Sequence, residues 1–543
     1  MEPPEDDEPD LTEEDVAMLA EKAQAGDANL AFLLAKGYDS GKGLAQDRQQ
    51  AFRWYTLAAE LGLPEAQYRL SKLCGHGLGT EKDAEGMLKW LSLSAKSGFL
   101  PAVFEMGIVY NDGLGLAKDP AKAAKWFARA ASKGLPAAFY MLAMLHFAPG
   151  GLDQDHFKAF ALFKKAAEAG HIHAQYMLSR CYDEGLGGSK DLEQALFWNN
   201  KAAEAGHPSA QYHLGLYYDM GPPEKRDSKK AFELLLSAAQ KDHALAQTYV
   251  GVLYAEGELV DKDPEKAAYW LEQAAGQGET EAMHQLAKLY AVGDGVEQSS
   301  EKTAWLLLRA ARSGHVDSQN WLAALYDQGV VLPRDCGQAA AWFLKAAEGG
   351  LAEAQFEVAR RFESGEDGLK KDQEAAFKWF LKAAQGGHYE APFEVAKRYA
   401  QGLGTEASDE EAFKWYLKAA EERHPLAPLE LAKRYDSGRG APKDQELAWK
   451  LFVQSAEDGV PEAQEEVGLR LLLGRGVPED REEAFKWFKR AAELGNAMSM
   501  HNLGLCYEKG LGTKKNLMEA KRWYELAHLQ GLELSGQRLR QLD

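Results

Sequence analysis

Apolar positions along this chain recur in two alternating helical phases. In "AQYMLSRCYDEG" (174–185), Ala174, Leu178 and Tyr182 fall at i, i+4 and i+8, one stripe along a helix. The stripe stops at a glycine column (Gly41, Gly77, Gly113, Gly185, Gly221, Gly257 and so on), from which only Pro149 departs. Glycine suits the left-handed residue that ends a helix, so the column predicts C-caps. A short loop follows, then Asp at 47, 83, 119, 155, 191, 227, 263, 335, 372, 444 and 480, with Ser299, Ser408 and Asn516 in the remaining places. These side chains accept a hydrogen bond from an orphan backbone N–H, so the column predicts N-caps. Pro120 and Pro264 follow directly, at the first helical position. The second phase runs through a Trp to an alanine pair such as Ala130–Ala131. It closes at a second glycine, with Asp242 and Arg423 as exceptions.

The period of this two-helix phrase sets the architecture. The tryptophans at 54, 90, 126, 198, 270, 342, 379, 415, 487 and 523 are spaced by 36 or 72 residues, apart from 37 between Trp342 and Trp379. The extra residue falls in the loop "GEDGLKKD" (365–372), and Leu162, Leu234, Leu306 and Leu451 complete the column, giving fourteen units. One helical hairpin cannot bury such a stripe alone, whereas stacked hairpins can. Alanine pairs let helices approach closely, and Trp is expected to fill the space between neighbours. Losing one cap should cost ~1 kcal/mol, and truncating a stacked Trp ~3–5 kcal/mol. At the ends, "DVAMLAEKAQAG" (15–26) reads as a capping second helix. "ELSGQRLRQLD" (533–543) reads as a capping first helix, with Ser535 and Leu539 in register. The units fill 27–532.

The composition is 45% hydrophobic, with a mean hydropathy of −0.44, and no window approaches a membrane span. The opening "MEPPEDDEPDLTEED" carries nine acidic and no basic residues. It has no apolar core of the secretory kind, so a cytoplasmic protein is expected. Residues 1–14 are expected to be a disordered, solvating acidic arm, or else an interaction arm for a basic partner. A net charge of −20 argues against nucleic acid as the main partner, because phosphate neutralisation needs a basic surface. Cys74, Cys181, Cys336 and Cys506 never fall two to a unit, which fits a reducing compartment.

Units of the form A-x-Y-x-L-x-x-x-Y-x-x-G-x-G…D-x-x-x-A-x-x-W-x-x-x-A-A-x-x-G resemble Sel-1-like repeats (SLR), relatives of tetratricopeptide repeats, over about residues 16–543. The resemblance implies an all-α fold, a right-handed superhelical α-solenoid of about fourteen hairpins. It also implies an adaptor that holds protein or peptide partners in signalling, secretion, envelope regulation or protein quality control. The alternatives are a structural or regulatory subunit acting through its convex face and, more distantly, a β-lactamase-like hydrolase.

The sequence offers little chemistry. "GYDSGKG" (37–43) has three residues between Gly37 and Gly41 rather than four, no Ser or Thr after Lys42 and no preceding strand, so it is not a phosphate loop. Ser299-x-x-Lys302 matches S-x-x-K, but Ser299 is a predicted N-cap with Lys302 facing solvent, and neither S-D-N nor K-T-G occurs. "HIH" (171–173) has no carboxylate or cysteine at ligand spacing and reads as incidental surface histidines. No catalytic residue, cofactor or metal is expected. The cysteines read as small buried residues.

The informative departures lie on the first helix, which lines the concave groove by resemblance to tetratricopeptide repeats. One column is aromatic in units one to six (Phe32, Tyr68, Phe104, Tyr140, Tyr176, Tyr212). It then becomes Thr248, His284 and Asn320, returns as Phe356 and Phe393, and ends as Leu429, Glu465 and His501. It reads either as packing or as a partly exposed aromatic ladder for a peptide. A second column holds Lys36, Lys72, Arg180, Lys288, Arg360, Lys397 and Lys433, and no acid. In units ten to thirteen the next residue is also basic (Arg361, Arg398, Arg434, Arg470), with Glu357, Glu394, Glu430 and Glu466 four residues before it. One reading is a salt-bridge ladder worth ~0.3–0.5 kcal/mol per pair. In the other, the glutamates neutralise the second arginines and leave Arg360, Lys397 and Lys433 to take the carboxylates of an acidic peptide, a C-terminus or the protein's own acidic arm. These columns name no partner and no oligomeric state.

Overall fold

A computed structural model describes residues 12–365 and 368–542. Among the described residues the chain is all-helical, with thirty α-helices, one short 3-10 turn at Pro223–Lys225 and no strand. It forms two compact units, Met1–Lys262 and Asp263–Asp543, each a solenoid of stacked helical hairpins. Repeat seven supplies the last helix of the first unit, Ala244–Glu256, and the first helix of the second, Pro264–Gly276.

Local chemistry sets the helix ends. All fourteen predicted N-cap residues cap a second helix; Asp372, for example, accepts from the Ala375 N–H at 2.9 Å. Ser299 is such a cap, accepting from the Lys302 N–H. The first helices end in left-handed glycines, with two departures. Repeat four ends at an extended Ala148. Gly221 is extended (φ −68°, ψ −169°) because Pro222 follows and disfavours the helical region before it. The helix expected at 15–26 spans Glu13–Gln24, starting two residues early because Thr12 and Asp15 form a capping box. The last helix is Glu533–Leu542. Most of the expected acidic arm, residues 1–11, lies outside the described residues.

The core corrects one expectation. Most of the tryptophans of the Trp column are only half-buried; among them Trp198, Trp342 and Trp487 are buried. The central position belongs to the next residue: Tyr55, Phe127, Phe163, Phe380, Phe452, Phe488 and Tyr524 are at most 1% exposed. One residue is a 100° turn about a helix, so only one of two adjacent aromatics can point inward. The indole lies at the rim beneath the cation three residues on, as Lys382 does 3.9 Å from the Trp379 ring centre and Lys345 4.0 Å from that of Trp342. The ~3–5 kcal/mol truncation cost therefore belongs to the Phe380 column.

Neighbouring repeats meet at the alanine pair, and a buried glutamine joins them. Gln355 Nε2 donates to the Ala347 carbonyl at 3.1 Å, as Gln67 does to Ala59, Gln175 to Ala167, Gln211 to Ala203, Gln247 to Ala239, Gln319 to Ala311 and Gln464 to Ala456. The last carbonyls of a helix have no partner within it; the turn supplies one donor, as the Gly350 N–H does to Ala347 at 3.1 Å, and the glutamine adds a second from the next repeat. Where Pro392 takes the glutamine's place, Lys418 Nζ reaches the Ala384 carbonyl instead, at 3.0 Å. The Gly-x-Gly loops also serve packing: a Cβ on Gly404 would collide with the Gln373 carbonyl at the start of the preceding repeat's second helix.

The turn after each second helix requires positive φ. Asp242 (58°) and Arg423 (63°) adopt it without being glycine. A left-handed conformation costs an L-residue ~1–2 kcal/mol. We expect Asp242→Gly and Arg423→Gly each to stabilise the protein by ~1 kcal/mol in urea unfolding, and Gly387→Ala, in the same column, to destabilise it by a similar amount. Unchanged midpoints in all three would show that these turns carry no strain.

Candidate functional site

The four arginines of repeats ten to thirteen stand on the first helices Ala352–Ser364, Ala391–Gln401, Ala427–Ser437 and Pro461–Leu473. All four are buried, and Arg398 is wholly inaccessible. Each guanidinium lies over the core aromatic of the preceding repeat: Arg361 over Phe343 (4.8 Å), Arg398 over Phe380 (3.8 Å), Arg434 over Tyr416 (5.0 Å) and Arg470 over Phe452 (4.5 Å). Three of them bridge two carboxylates, one on their own helix and one from the preceding repeat. Arg361 meets Glu357 and Asp327 at 3.3 and 3.0 Å. Arg398 meets Glu394 and Glu363, both at 2.6 Å. Arg470 meets Glu466 and Asp436, both at 2.8 Å. Arg434 departs from the expected Glu430 pairing: Ala400 stands where the other repeats carry the second acid, and Arg434 pairs with Asp409 at 3.0 Å.

Arg360, Lys397 and Lys433 are not left free by this arrangement, as one sequence reading expects. Their side chains are 64%, 41% and 51% exposed, but each pairs with the glutamate three residues before it, at 3.7, 3.5 and 2.7 Å. Glu357 and Glu394 thus serve two cations each. Removing a buried guanidinium strands its carboxylates, whereas an exposed pair contributes little. We expect Arg398→Ala to cost ~3 kcal/mol and Lys397→Ala less than ~0.5 kcal/mol. Equal losses in thermal unfolding would refute this division.

The aromatic column packs at the repeat junctions. Phe32, Phe104 and Tyr140 face the core rings of Tyr55, Phe127 and Phe163, and Tyr68 faces Phe99. The histidine that ends the same repeat covers a ring face at five junctions: His171 on Tyr140 (4.7 Å), His207 on Tyr176 (4.6 Å), His243 near Tyr212 (5.0 Å), His388 on Phe356 (4.0 Å) and His424 on Phe393 (4.2 Å). Phe356 is buried and the other aromatics of the column are half-buried. "HIH" is therefore not incidental: His171 caps a helix by accepting the Ala174 N–H at Nδ1, and His207, His243 and His315 do the same in their own repeats. Histidine recurs at the last position of six of the fourteen units and was legible in the sequence by its period.

A cap that accepts at Nδ1 must stay neutral. Burial, with His173, His243 and Lys241 nearby, pushes the His207 pKa down to about 4 from its ordinary 6.5. Between those values the unfolded chain takes up a proton that the folded chain refuses, so stability is full above pH 6.5 and falls as pH drops towards 4. We expect the melting temperature to fall from pH 7 to 4.5, and His207→Asn, which keeps a cap of the Asn496 kind, to flatten part of that fall. Identical slopes would assign the pH dependence elsewhere.

Repeat five breaks the core column. Where the other thirteen repeats place Tyr, Leu or Phe after the Trp or Leu, it places Asn199. A recess of about 350 Å³ opens there, lined by Tyr176, Ser179, Arg180, Asp183, Asn199, His213 and Tyr217 among others. Sequence reasoning missed this site, although the lone amide in an apolar column marks it. Among the described residues, no three or more His, Cys, Asp or Glu side chains group to hold a metal ion, and no helix is long and apolar enough to cross a membrane.

The Sel1 repeat profile matches fourteen segments from 28–63 to 497–532, abutting except at residues 389 and 425. Among solved structures, the chain is similar to a protective antigen present in uropathogenic Escherichia coli strains that displays an SLR fold. The two share 27% identity over 91% of this chain and 97% of that one, with a TM-score of 0.49. It is also similar to a Sel1 repeat protein from Oxalobacter formigenes, with 30% identity over 64% of this chain and 90% of that one and a TM-score of 0.39. A search of the curated proteins returns no match.

Proposed function

The chain belongs to the Sel1 repeat family, and from that premise we propose that it is an adaptor holding protein or peptide partners against its first helices. Sel1 repeat solenoids are in general protein–protein interaction scaffolds and typically non-catalytic. The adaptor serves signalling, secretion or envelope regulation, and four unpaired cysteines support a reducing, cytoplasmic setting for it.

The observation that carries this reading is the exposed row Arg360, Lys397 and Lys433, one cation from the same position of three successive first helices. The Arg360 and Lys397 pairs are long, and the glutamate in each is shared with a buried arginine. Exposed ion pairs of this kind are worth ~0–1 kcal/mol, so an acidic segment can displace them at little cost. Phe393 and the buried Phe356, beside the row, and the half-buried Tyr68, Phe104, Tyr140, Tyr176 and Tyr212 in the other unit add aromatic rings along the same face of their helices.

The test is capture by the full chain, read by mass spectrometry. Reversing Arg360, Lys397 and Lys433 to Glu should weaken partner capture at least tenfold and leave helicity and melting unchanged. Capture at full strength would remove the row as the site. Early melting would make it a structural ladder.

A further inference from the structure

We propose that the recess at repeats five and six receives the arginine side chain of a protein partner, an inference that rests on the scaffold reading. Asn199 forms its floor. The residue is 9% exposed, its Nδ2 donates to the Ala210 carbonyl at 3.4 Å, and its Oδ1 has no hydrogen-bond partner among the described residues. A buried acceptor left without a donor is costly, so the recess calls for a ligand that donates.

Three junctions in the other unit show which donor such a slot takes. There the chain's own Arg361, Arg398 and Arg470 lie on the core ring of the preceding repeat and pair with the acid that follows its Tyr or Phe column: Asp327, Glu363 and Asp436. Repeats five and six keep the acid, Asp183 after Tyr182, but carry Tyr217 at the arginine's position and Asn199 at the ring's. The space of the lost ring is open, and the carboxylate makes a long ion pair with the exposed Lys190, at 3.8 Å, with His213 also near it.

The remaining lining agrees. Arg180 is spent on Glu184, its Nε 3.0 Å from Oε1. Counting His213 as neutral, the lining carboxylates Asp183 and Glu184 face one lining cation, Arg180, and the exposed Lys190 outside the lining makes only a long pair with Asp183, which an entering monocation can replace. Tyr176 and His213 lie nearly parallel (17°) at 6.0 Å, and Tyr217 adds a third ring. A guanidinium stacks on such rings and spreads five N–H donors between a carboxylate and an amide oxygen. A lysine ammonium is a point charge that does not stack in this way.

Saturation-transfer NMR on the full chain tests this with three probes: N-acetyl-arginine amide, N-acetyl-lysine amide and N-acetyl-glutamate amide. The arginine probe should saturate and bind at least tenfold tighter than the other two. Asn199→Leu, which restores the residue of the Leu235 and Leu271 column, should abolish its binding and hold or raise the melting temperature. Asp183→Asn, at an exposed position that leaves the core intact, should weaken it at least tenfold. Absence of saturation, equal binding of the lysine or glutamate probe, or undiminished binding by both variants would overturn the proposal. The probe needs no partner, so such failure removes the arginine pocket alone, whereas the scaffold reading stands or falls on partner capture.

Discussion

The last carbonyls of each second helix have no donor within their own helix, and the next repeat packs against them through alanines. Closeness of that kind buries the carbonyl, and a buried carbonyl must be paired. The turn residue three positions on supplies one donor, as the Gly350 N–H does to Ala347, and in seven repeats a glutamine, 1–8% exposed, adds a second from across the junction. The alanines, the glycine turn that follows them and the glutamine therefore form one device. Where Pro392 stands, Lys418 supplies a side-chain donor, and where Val103, Phe139, Met283 and Met500 stand, the turn N–H pairs the carbonyl.

The same junctions tolerate buried charge under strict conditions. A guanidinium taken out of water is expensive unless its donors and its charge are both matched. Arg361, Arg398 and Arg470 meet the charge part of that condition with two carboxylates and an aromatic face. Arg434 meets it differently, because Ala400 removes one acid and Asp409 supplies another. The histidine column shows a similar economy: one imidazole caps a helix through Nδ1 and covers a neighbouring ring with its face, which ties junction packing to protonation. Repeat five gives up ring packing at Asn199 and keeps a polar recess. Proteins commonly carry such locally unfavourable choices at functional positions.

The legible part of this protein was local. Caps, left-handed turns, hairpins and their number follow from side chains within about four residues of the backbone groups they satisfy, so the columns of Asp, Gly and Ala predict them from sequence alone. Even the two turns without glycine, at Asp242 and Arg423, kept the left-handed backbone that their column implied. The exceptions at Gly221 and at the first helix's start are local as well, and Pro222 and the Thr12–Asp15 box explain them.

Tertiary structure decided which of two neighbouring residues points inward. Trp379 and Phe380, or Lys397 and Arg398, are equally plausible on paper. A 100° rotation separates them, and the contacts that choose lie 18 to 35 residues away, in Phe380 and Glu363 for Arg398. Those contacts also gave Glu357 and Glu394 a second cation and turned Arg434 from Glu430 to Asp409. The sequence by itself determined the repeat, its helices and their ends, because each is settled by hydrogen bonds along the chain. Burial, charge pairing and the opening beside Asn199 were settled only when one repeat was laid against the next, because they depend on groups that meet across that junction.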